Sequence, residues 1–307
     1  SDNDNGSSSC RVNFVMEYGN YGYRDERTGA DYRNKRTNMD ASMQRRMWHQ
    51  NDPGVVPNLL ITGSGSPTGI IVYEGDLLPE PFRGQMIHAE PGRNVVWAFP
   101  AKQAGAGYSA RIVDIVRSEI DRNYRPSDVS VAPDGSLFIA DWFDPVDCCH
   151  RTVNDAGRIF RVAPPKHAYE VPAYDFKTPV GAVKALHSPN LSARYKAWTA
   201  LLGMQERARP ALEKMAIDKN PRFRARALWS LAAIKEGTPE AIETALHDES
   251  ENIRALALRI ARRHQVPMEP LVRFLVRDES ALVRRECVVS LHRLTSSEAV
   301  QLWVELA

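Results

Sequence analysis

The sequence lacks most of the features that would assign it quickly. It has only four cysteines in 307 residues (Cys10, Cys148, Cys149 and Cys287), too few and too scattered for a disulfide scaffold. It has no apolar run approaching the roughly 20 residues a membrane-spanning helix needs. It has no excess of either charge: 40 Lys and Arg against 38 Asp and Glu leave +2, so no basic field points to nucleic acid. It shows no leader, because the chain opens on the polar stretch Ser1-Asp2-Asn3-Asp4-Asn5-Gly6 rather than on Met and an apolar segment. The chain therefore reads as an internal piece of a longer protein, and the absent leader says nothing about location. What remains, 43% hydrophobic and 25% charged residues, is an ordinary globular composition long enough for two domains.

Periodicity organises the C-terminal half. Arg194, Arg224, Arg254 and Arg284 recur every 30 residues. Three positions after each stands Ala197, Ala227, Ala257 or Cys287, and seven after each stands Leu201, Leu231, Ala261 or Leu291. Offsets of three and seven fall on one face of a helix. Polar turns precede these helices (Ser188-Pro189-Asn190, Lys219-Asn220-Pro221, Asp248-Glu249-Ser250 and Asp278-Glu279-Ser280), and the Asn, Asp and Ser within them can cap the helix that follows. Shorter amphipathic stretches, such as 211–216 and 270–275, lie between. Two helices per repeat predict a helical-hairpin solenoid. The pattern D-x-x-x-x-V-R before a small residue, plainest from Asp278 to Arg284, resembles HEAT repeats in a short form. The repeated arginine is expected to pair with an Asp of the neighbouring turn; the alternative is a ligand-binding role. The chain ends at Ala307 without a polar capping repeat, so the array is expected to continue, and its surface could receive a protein partner.

From Gly69 the pattern is instead short apolar or alternating runs broken by turns: 69–73, 85–89, 94–99, 110–116, 128–132, 136–140 and 157–162. Asp134-Gly135 between two alternating runs is the strongest hairpin signal. Even spacing without intervening helices suggests a sandwich, barrel or propeller. The phrase D-V-S-V-A-P-D-G-S-L-F-I-A-D-W, closed by G-R-I-F-R-V, resembles a blade of the glucose/sorbosone dehydrogenase type of propeller. The expected architecture is thus the closing part of a β-propeller over 1–165, a linker over 166–177, and a HEAT-type α-helical solenoid over 178–307.

Longer phrases extend the resemblance. Residues 47–75 (M-W-H-Q-N-D-P-G onward), 75–89 (G-D-L-L-P-E-P-F-R-G-Q-M-I-H-A), 105–110 (G-A-G-Y-S-A) and 125–142 resemble the membrane-bound dehydrogenases of Planctomycetes and related bacteria. In that family a propeller precedes HEAT repeats and often a cytochrome c segment. The resemblance implies a dehydrogenase that oxidises a sugar or aldehyde with pyrroloquinoline quinone (PQQ), supported by calcium, and passes electrons to a cytochrome or quinone. It also implies a periplasmic or other extracytoplasmic, membrane-associated location. The alternative is a propeller without catalysis that binds a glycan or protein, with the repeats as scaffold.

The resemblance places Arg125 where related enzymes set a cofactor-contacting arginine, whose guanidinium could clamp a PQQ carboxylate. A surface arginine at a strand entry is the other reading. Ser64, Ser66 and Thr68 match a second cofactor-lining segment, or else a tight Gly/Ser-rich turn. Where relatives carry a lysine this chain reads H-A-E-P-G-R, leaving His88, Glu90 or Arg93 to serve. His49, in W-H-Q-N-D-P-G, is the resident candidate for general base, or a histidine bonded within a long loop. Asp2 and Asp4 open a calcium-like run, but Asn13 stands where an EF-hand needs its bidentate Glu. Cys148-Cys149-His150 lacks the C-x-x-C-H spacing of haem c, so haem is not expected in this segment.

Overall fold

A computed structural model of the chain describes residues 10–25, 28–31, 41–50, 52–63, 65, 68–143, 157–292 and 294–307. The chain divides into two compact units, Ser1–Gln103 with Tyr108–Glu170, and Ala104–Gly107 with Val171–Ala307. Strands build the first and helices the second, so the architecture is mixed β and α with the two classes segregated along the chain.

The first unit starts with β1 (Cys10–Val12), a short helix α1 (Met43–Arg46) and β2 (Leu60–Gly63), with β1 and β2 paired antiparallel. Next come β3 (Ile70–Val72), β4 (Met86–Glu90), β5 (Val95–Phe99), β6 (Ala101–Ala104), β7 (Gly107–Ala110) and β8 (Val113–Arg117). Strands β3, β4, β5 and β8 make a four-stranded antiparallel sheet in that order, with β6 and β7 a separate pair between β5 and β8. The run 110–116, which reads as one strand, is broken: Ala110 ends β7 and Val113 begins β8. The break falls at Arg111-Ile112, where no glycine or proline marks it, and β7 pairs back on β6 across the Gly105–Gly107 turn instead of continuing into β8. Strand β5, Val-Val-Trp-Ala-Phe, is buried along its whole length, as expected of an interior strand with a continuous apolar run.

A three-stranded antiparallel sheet completes the unit, ordered β11 (Arg158–Val162), β10 (Leu137–Asp141), β9 (Pro126–Val131). Burial alternates along β10, matching the period of two read from its sequence. Gly135 has φ +88°, the left-handed region that glycine enters without strain. Asp134 fixes the same turn by accepting from the Ser136 N–H (2.9 Å) and hydroxyl (2.6 Å), and from Arg161 (2.9 Å). The two sheets share one core containing Ile87, Val96, Val129, Leu137 and Ile139. Tyr73 sits in it fully buried; its hydroxyl donates to the Gly135 carbonyl (2.7 Å) and accepts from the Leu77 and Leu78 N–H groups. None of the sheets formed by described residues closes on itself.

The second unit runs α2 (Pro179–Leu186), α3 (Leu191–Met204), α4 (Arg209–Ala216), α5 (Pro221–Ala233), α6 (Thr238–Leu246), α7 (Glu251–Arg263), α8 (Glu269–Leu275), α9 (Ala281–Leu291) and α10 (Ser297–Leu306). Consecutive helices pack as pairs, α2 with α3 through α8 with α9, and α3, α5, α7 and α9 pack successively. Asn190, Asn220 and Ser280 cap their helices through side-chain oxygens. At Ser250 the side chain makes no cap, and Asp248 instead accepts from the Ser250 N–H at 2.7 Å. Ala197, Ala227, Ala257 and Cys287 are all 0% exposed, which explains their small size: a longer side chain would have to displace the neighbouring helix.

The recurring arginines are structural links. The Arg224 guanidinium makes a bidentate pair with Asp248 (2.8 and 2.8 Å) and donates to the carbonyls of Asp218 and Lys219. One repeat on, Arg254 pairs with Asp278 (2.7 and 2.9 Å) and donates to the carbonyls of Asp248 and Glu249. Each of these two arginines thus ties its own preceding turn to the aspartate of the next. Burial alone would raise the Asp278 pKa, but the Arg254 hydrogen bonds, the Ser280 N–H and the arginine charges hold it below the usual carboxylate range.

Candidate site at the turn between β4 and β5

Several residues singled out from the sequence converge on one end of the four-stranded sheet, around the turn Pro91-Gly92-Arg93. Arg125 stands at the entry to β9. Its backbone N–H donates to Asp141 Oδ1 (2.7 Å), and its guanidinium Nη1 donates to the Pro91 carbonyl (3.0 Å). The side chain is half-buried. Thr68 lies on the other side of the turn, where its N–H and hydroxyl both donate to the Ala89 carbonyl (3.2 and 3.0 Å). The Thr68 hydroxyl proton is therefore spent on the backbone.

Arg93 is exposed at the turn, and Glu90 below it is buried, accepting from the Gly92 N–H at 3.1 Å. Both press on the incoming loop. A β-carbon at Gly63 would fall 2.4 Å from Arg93 Nη2, and one at Gly65 would fall 2.4 Å from Glu90 Oε1. The glycines of that loop are required by close approach, which the sequence suggested only as a tight turn. Ser64 and Ser66 lie outside the described residues, as do Asp2, Asp4 and Cys148-Cys149.

His88, two residues before Glu90, is buried at 2% exposure between Trp97 (ring centroids 6.3 Å) and Phe99 (5.4 Å). Its Nδ1 is buried without a hydrogen-bond partner, and burial lowers its pKa to about 4. His88 is a neutral core ring that faces other aromatics.

His49 is elsewhere in the unit and fully enclosed, at 0% exposure. Its Nε2 lies 2.9 Å from the Asp31 carbonyl and its Nδ1 3.0 Å from Asp52 Oδ2. A carbonyl can only accept, so Nε2 carries the proton. From this position the ring does not face solvent.

Sequence reasoning missed a cavity of about 310 Å³ lined by Val116, Arg117, Ser118, Asp121, Tyr124, Arg158 and Phe160. Arg158 pairs there with Asp121 (2.9 Å) and Asp141 (2.5 Å), so it shares Asp141 with the backbone of Arg125. Tyr124 is 4% exposed and its hydroxyl has no partner; burial pushes its pKa up. These residues come from β8, β11 and the loop after β8, so no local spacing announces them. The G-R-I-F-R-V phrase was the only available pointer.

Residues 7–166 match the family described as Domain of unknown function (DUF7133). The chain belongs to that family. The DUF7133 match takes in every strand and the whole site, while the helix pairs lie beyond it. No curated protein matches the chain.

Within the DUF7133 region, the fit of an anionic quinone divides by residue. Arg125 suits it: among the described residues its Nε and Nη2 make no hydrogen bond, so two guanidinium nitrogens remain wholly unspent beside the Nη1 that bonds Pro91. Arg93 adds exposed positive charge at the same turn. Thr68 suits it only as an acceptor, because its proton is committed to Ala89. Such a ligand would be held by charge and a guanidinium fork rather than by hydroxyl donors.

Proposed function

We propose that the strand-rich unit is part of a glucose/sorbosone-dehydrogenase-like β-propeller, with the four-stranded and three-stranded sheets as neighbouring blades, and that the helix pairs are a HEAT-type array. On this reading the chain belongs to a PQQ-type dehydrogenase that oxidises a sugar or aldehyde and passes electrons to a cytochrome or quinone outside the cytoplasm. The observation that carries it is the convergence of Arg125, Arg93 and Thr68 on the β4–β5 turn, with unspent Arg125 donors. PQQ, when bound, accepts the hydride equivalent. This chain's residues would bind and orient it: Arg125 by a hydrogen-bonded ion pair, Arg93 by charge.

Binding of PQQ with calcium present, then dye reduction over a panel of sugars and aldehydes, tests the proposal. Saturable binding weakened about tenfold or more by Arg125→Ala supports it, since a charge-assisted pair is worth about 1.5–3 kcal/mol. Absence of binding and turnover would discard it. The second reading is a recognition propeller on a helical scaffold, favoured by the enclosure of His49, which removes the one histidine offered as a general base. Glycan and protein partners would then be the ligands to screen.

A further inference from the structure

We propose that the cavity formed by the end of β8, the loop 118–124 and β11 binds one ring of an uncharged sugar. It is a site separate from the Arg125 turn, although both use Asp141, and it stands whether or not that turn takes a quinone. Its volume, about 310 Å³, is at the small end of the roughly 300–1,000 Å³ typical of small-molecule pockets.

The walls are set by hydrogen bonds of the protein itself. Asn94, left-handed at φ 56°, pins the loop: its amide donates to the carbonyls of Arg122 (3.2 Å) and Tyr124, and its own carbonyl accepts from the Ser118 N–H (3.1 Å). Within the loop, Ser118 Oγ accepts from the Asp121 N–H (2.9 Å), and Asp121 Oδ1 accepts from the Asn123 N–H (3.0 Å). Arg158 is clamped by Asp121 and Asp141 and lies over the rings of Phe143 and Phe160, at 4.4 and 5.2 Å from their centroids.

This anchoring leaves polar groups unspent. Tyr124 is 4% exposed and its hydroxyl has no partner; the charges of Asp141 and Arg158 act on it, which puts it at the Arg158 end of the cavity. Burial holds it as a neutral phenol, able both to donate and to accept. Among the described residues, Arg158 Nη1 and the Ser118 hydroxyl proton also make no hydrogen bond.

These groups select the ligand by elimination. The two guanidiniums, Arg117 and Arg158, are already matched by three carboxylates, Asp114, Asp121 and Asp141, so neither an anion nor a cation finds unpaired charge. A wholly apolar molecule would cover Val116 and Phe160 but seal the Tyr124 hydroxyl from water without a partner, which is unfavourable. A sugar ring meets both demands. Its C–H face packs on Phe160, which is 39% exposed, and its hydroxyls, each a donor and an acceptor, serve Tyr124, Ser118, Asp121 and Arg158.

The test titrates the full chain, with no quinone present, with glucose, galactose, mannose, xylose and cellobiose, read by calorimetry and saturation-transfer NMR. Glucuronate, glucosamine and toluene are the charged and apolar controls. At least one neutral sugar should bind at one site per chain, at least about tenfold more tightly than each control, the margin set by unpaired charge or an unmet hydroxyl. Tyr124→Phe, which deletes only the hydroxyl, should weaken binding about fivefold while leaving the unfolding temperature unchanged or higher, because an unpartnered hydroxyl stabilises nothing. Phe160→Ala should weaken binding several-fold and Phe160→Trp should retain it. Absence of saturable binding by all five sugars would overturn the proposal. So would tighter binding of a control, or binding that Tyr124→Phe and Phe160→Ala both leave intact. A lower unfolding temperature in Tyr124→Phe would equally count against it, by showing that the hydroxyl already serves the fold. Because no quinone enters the measurement, these outcomes are independent of the dehydrogenase reading.

Discussion

His88 in the strand-rich unit and the paired charges of the helical unit show opposite ways of burying a titratable group, although Asp141 and Arg158 show that the first unit uses pairing as well. The strand-rich unit holds His88 neutral among aromatic rings, with a ring nitrogen left unpartnered. The helical unit keeps its buried groups charged and pairs them: Arg224 with Asp248, Arg254 with Asp278, and Glu286 with both Arg259 (2.9 Å) and Arg262 (2.6 Å). Burial alone would raise the Glu286 pKa, but Arg259 and Arg262 reverse the sign and hold it low. The difference comes from architecture. A sheet interior offers few donors because the backbone uses its own, whereas a stack of helix pairs exposes turn carbonyls and caps at every repeat, where a guanidinium can bond to them.

The largest effect should come from breaking one of the pairs. Arg254→Ala strands Asp278, which is 7% exposed, and should lower stability by about 3 kcal/mol, read from urea unfolding monitored by circular dichroism. Replacing both partners by Met and Leu should recover most of that loss, because the cost is the uncompensated charge. A double replacement as unstable as the single one would show that the arginine acts through the turn carbonyls instead.

Acid should separate the units next. The folded-state pKa of His88 is lowered from 6.5 to about 4, so between those values the unfolded chain binds the extra proton. The stability His88 confers is complete above about pH 6.5 and is lost as pH falls toward 4, on the order of 2 kcal/mol by pH 5. Asp278 and Glu286 are held below their ordinary values of 3.8 and 4.5, so their contribution is lost only as pH falls beneath that range. Tryptophan fluorescence near His88 should therefore change at higher pH than helical dichroism. His88→Phe should abolish the earlier transition; an unchanged one would place its origin in another group.

The smallest effect tests the repeat turns. Asn220→Ala removes the acceptor for the Arg222 N–H and should cost about 1 kcal/mol, measurable as a shift in the urea midpoint without a change in slope. A null result would mean that Pro221 and the Arg224 clamp define that helix start unaided.

The helical unit was the more legible of the two because its signal is local and repeated. The 30-residue register of Arg194, Arg224, Arg254 and Arg284 placed the helices and the buried small residues from spacing alone, while the expected caps form at Asn190, Asn220 and Ser280 but not at Ser250. The strands were legible where a turn residue marked them, as at Asp134-Gly135, and illegible at 101–110, where the short β6–β7 hairpin carries no apolar pattern. At the candidate site, Arg125 and Thr68 were legible through the resemblance of their flanking phrases. That Thr68 spends its proton on Ala89 was not readable, because the acceptor is 21 residues away in sequence.

By itself, the sequence determined the segregation of strands from helices and the repeat register; it left two roles open for the arginines, and the structure shows the stacking one at Arg224 and Arg254. Periodicity and turn chemistry act within a few residues, and those are what a sequence displays. Only the tertiary structure decided which polar groups meet. His49 and Asp52 are three apart in the chain, but Asp25 reaches them by loop closure; Tyr124 and Arg158 meet at one cavity from separate segments; and His88 is neutral because Trp97 and Phe99 surround it. Burial and charge pairing depend on distances in space, and the chain specifies those only once it has folded.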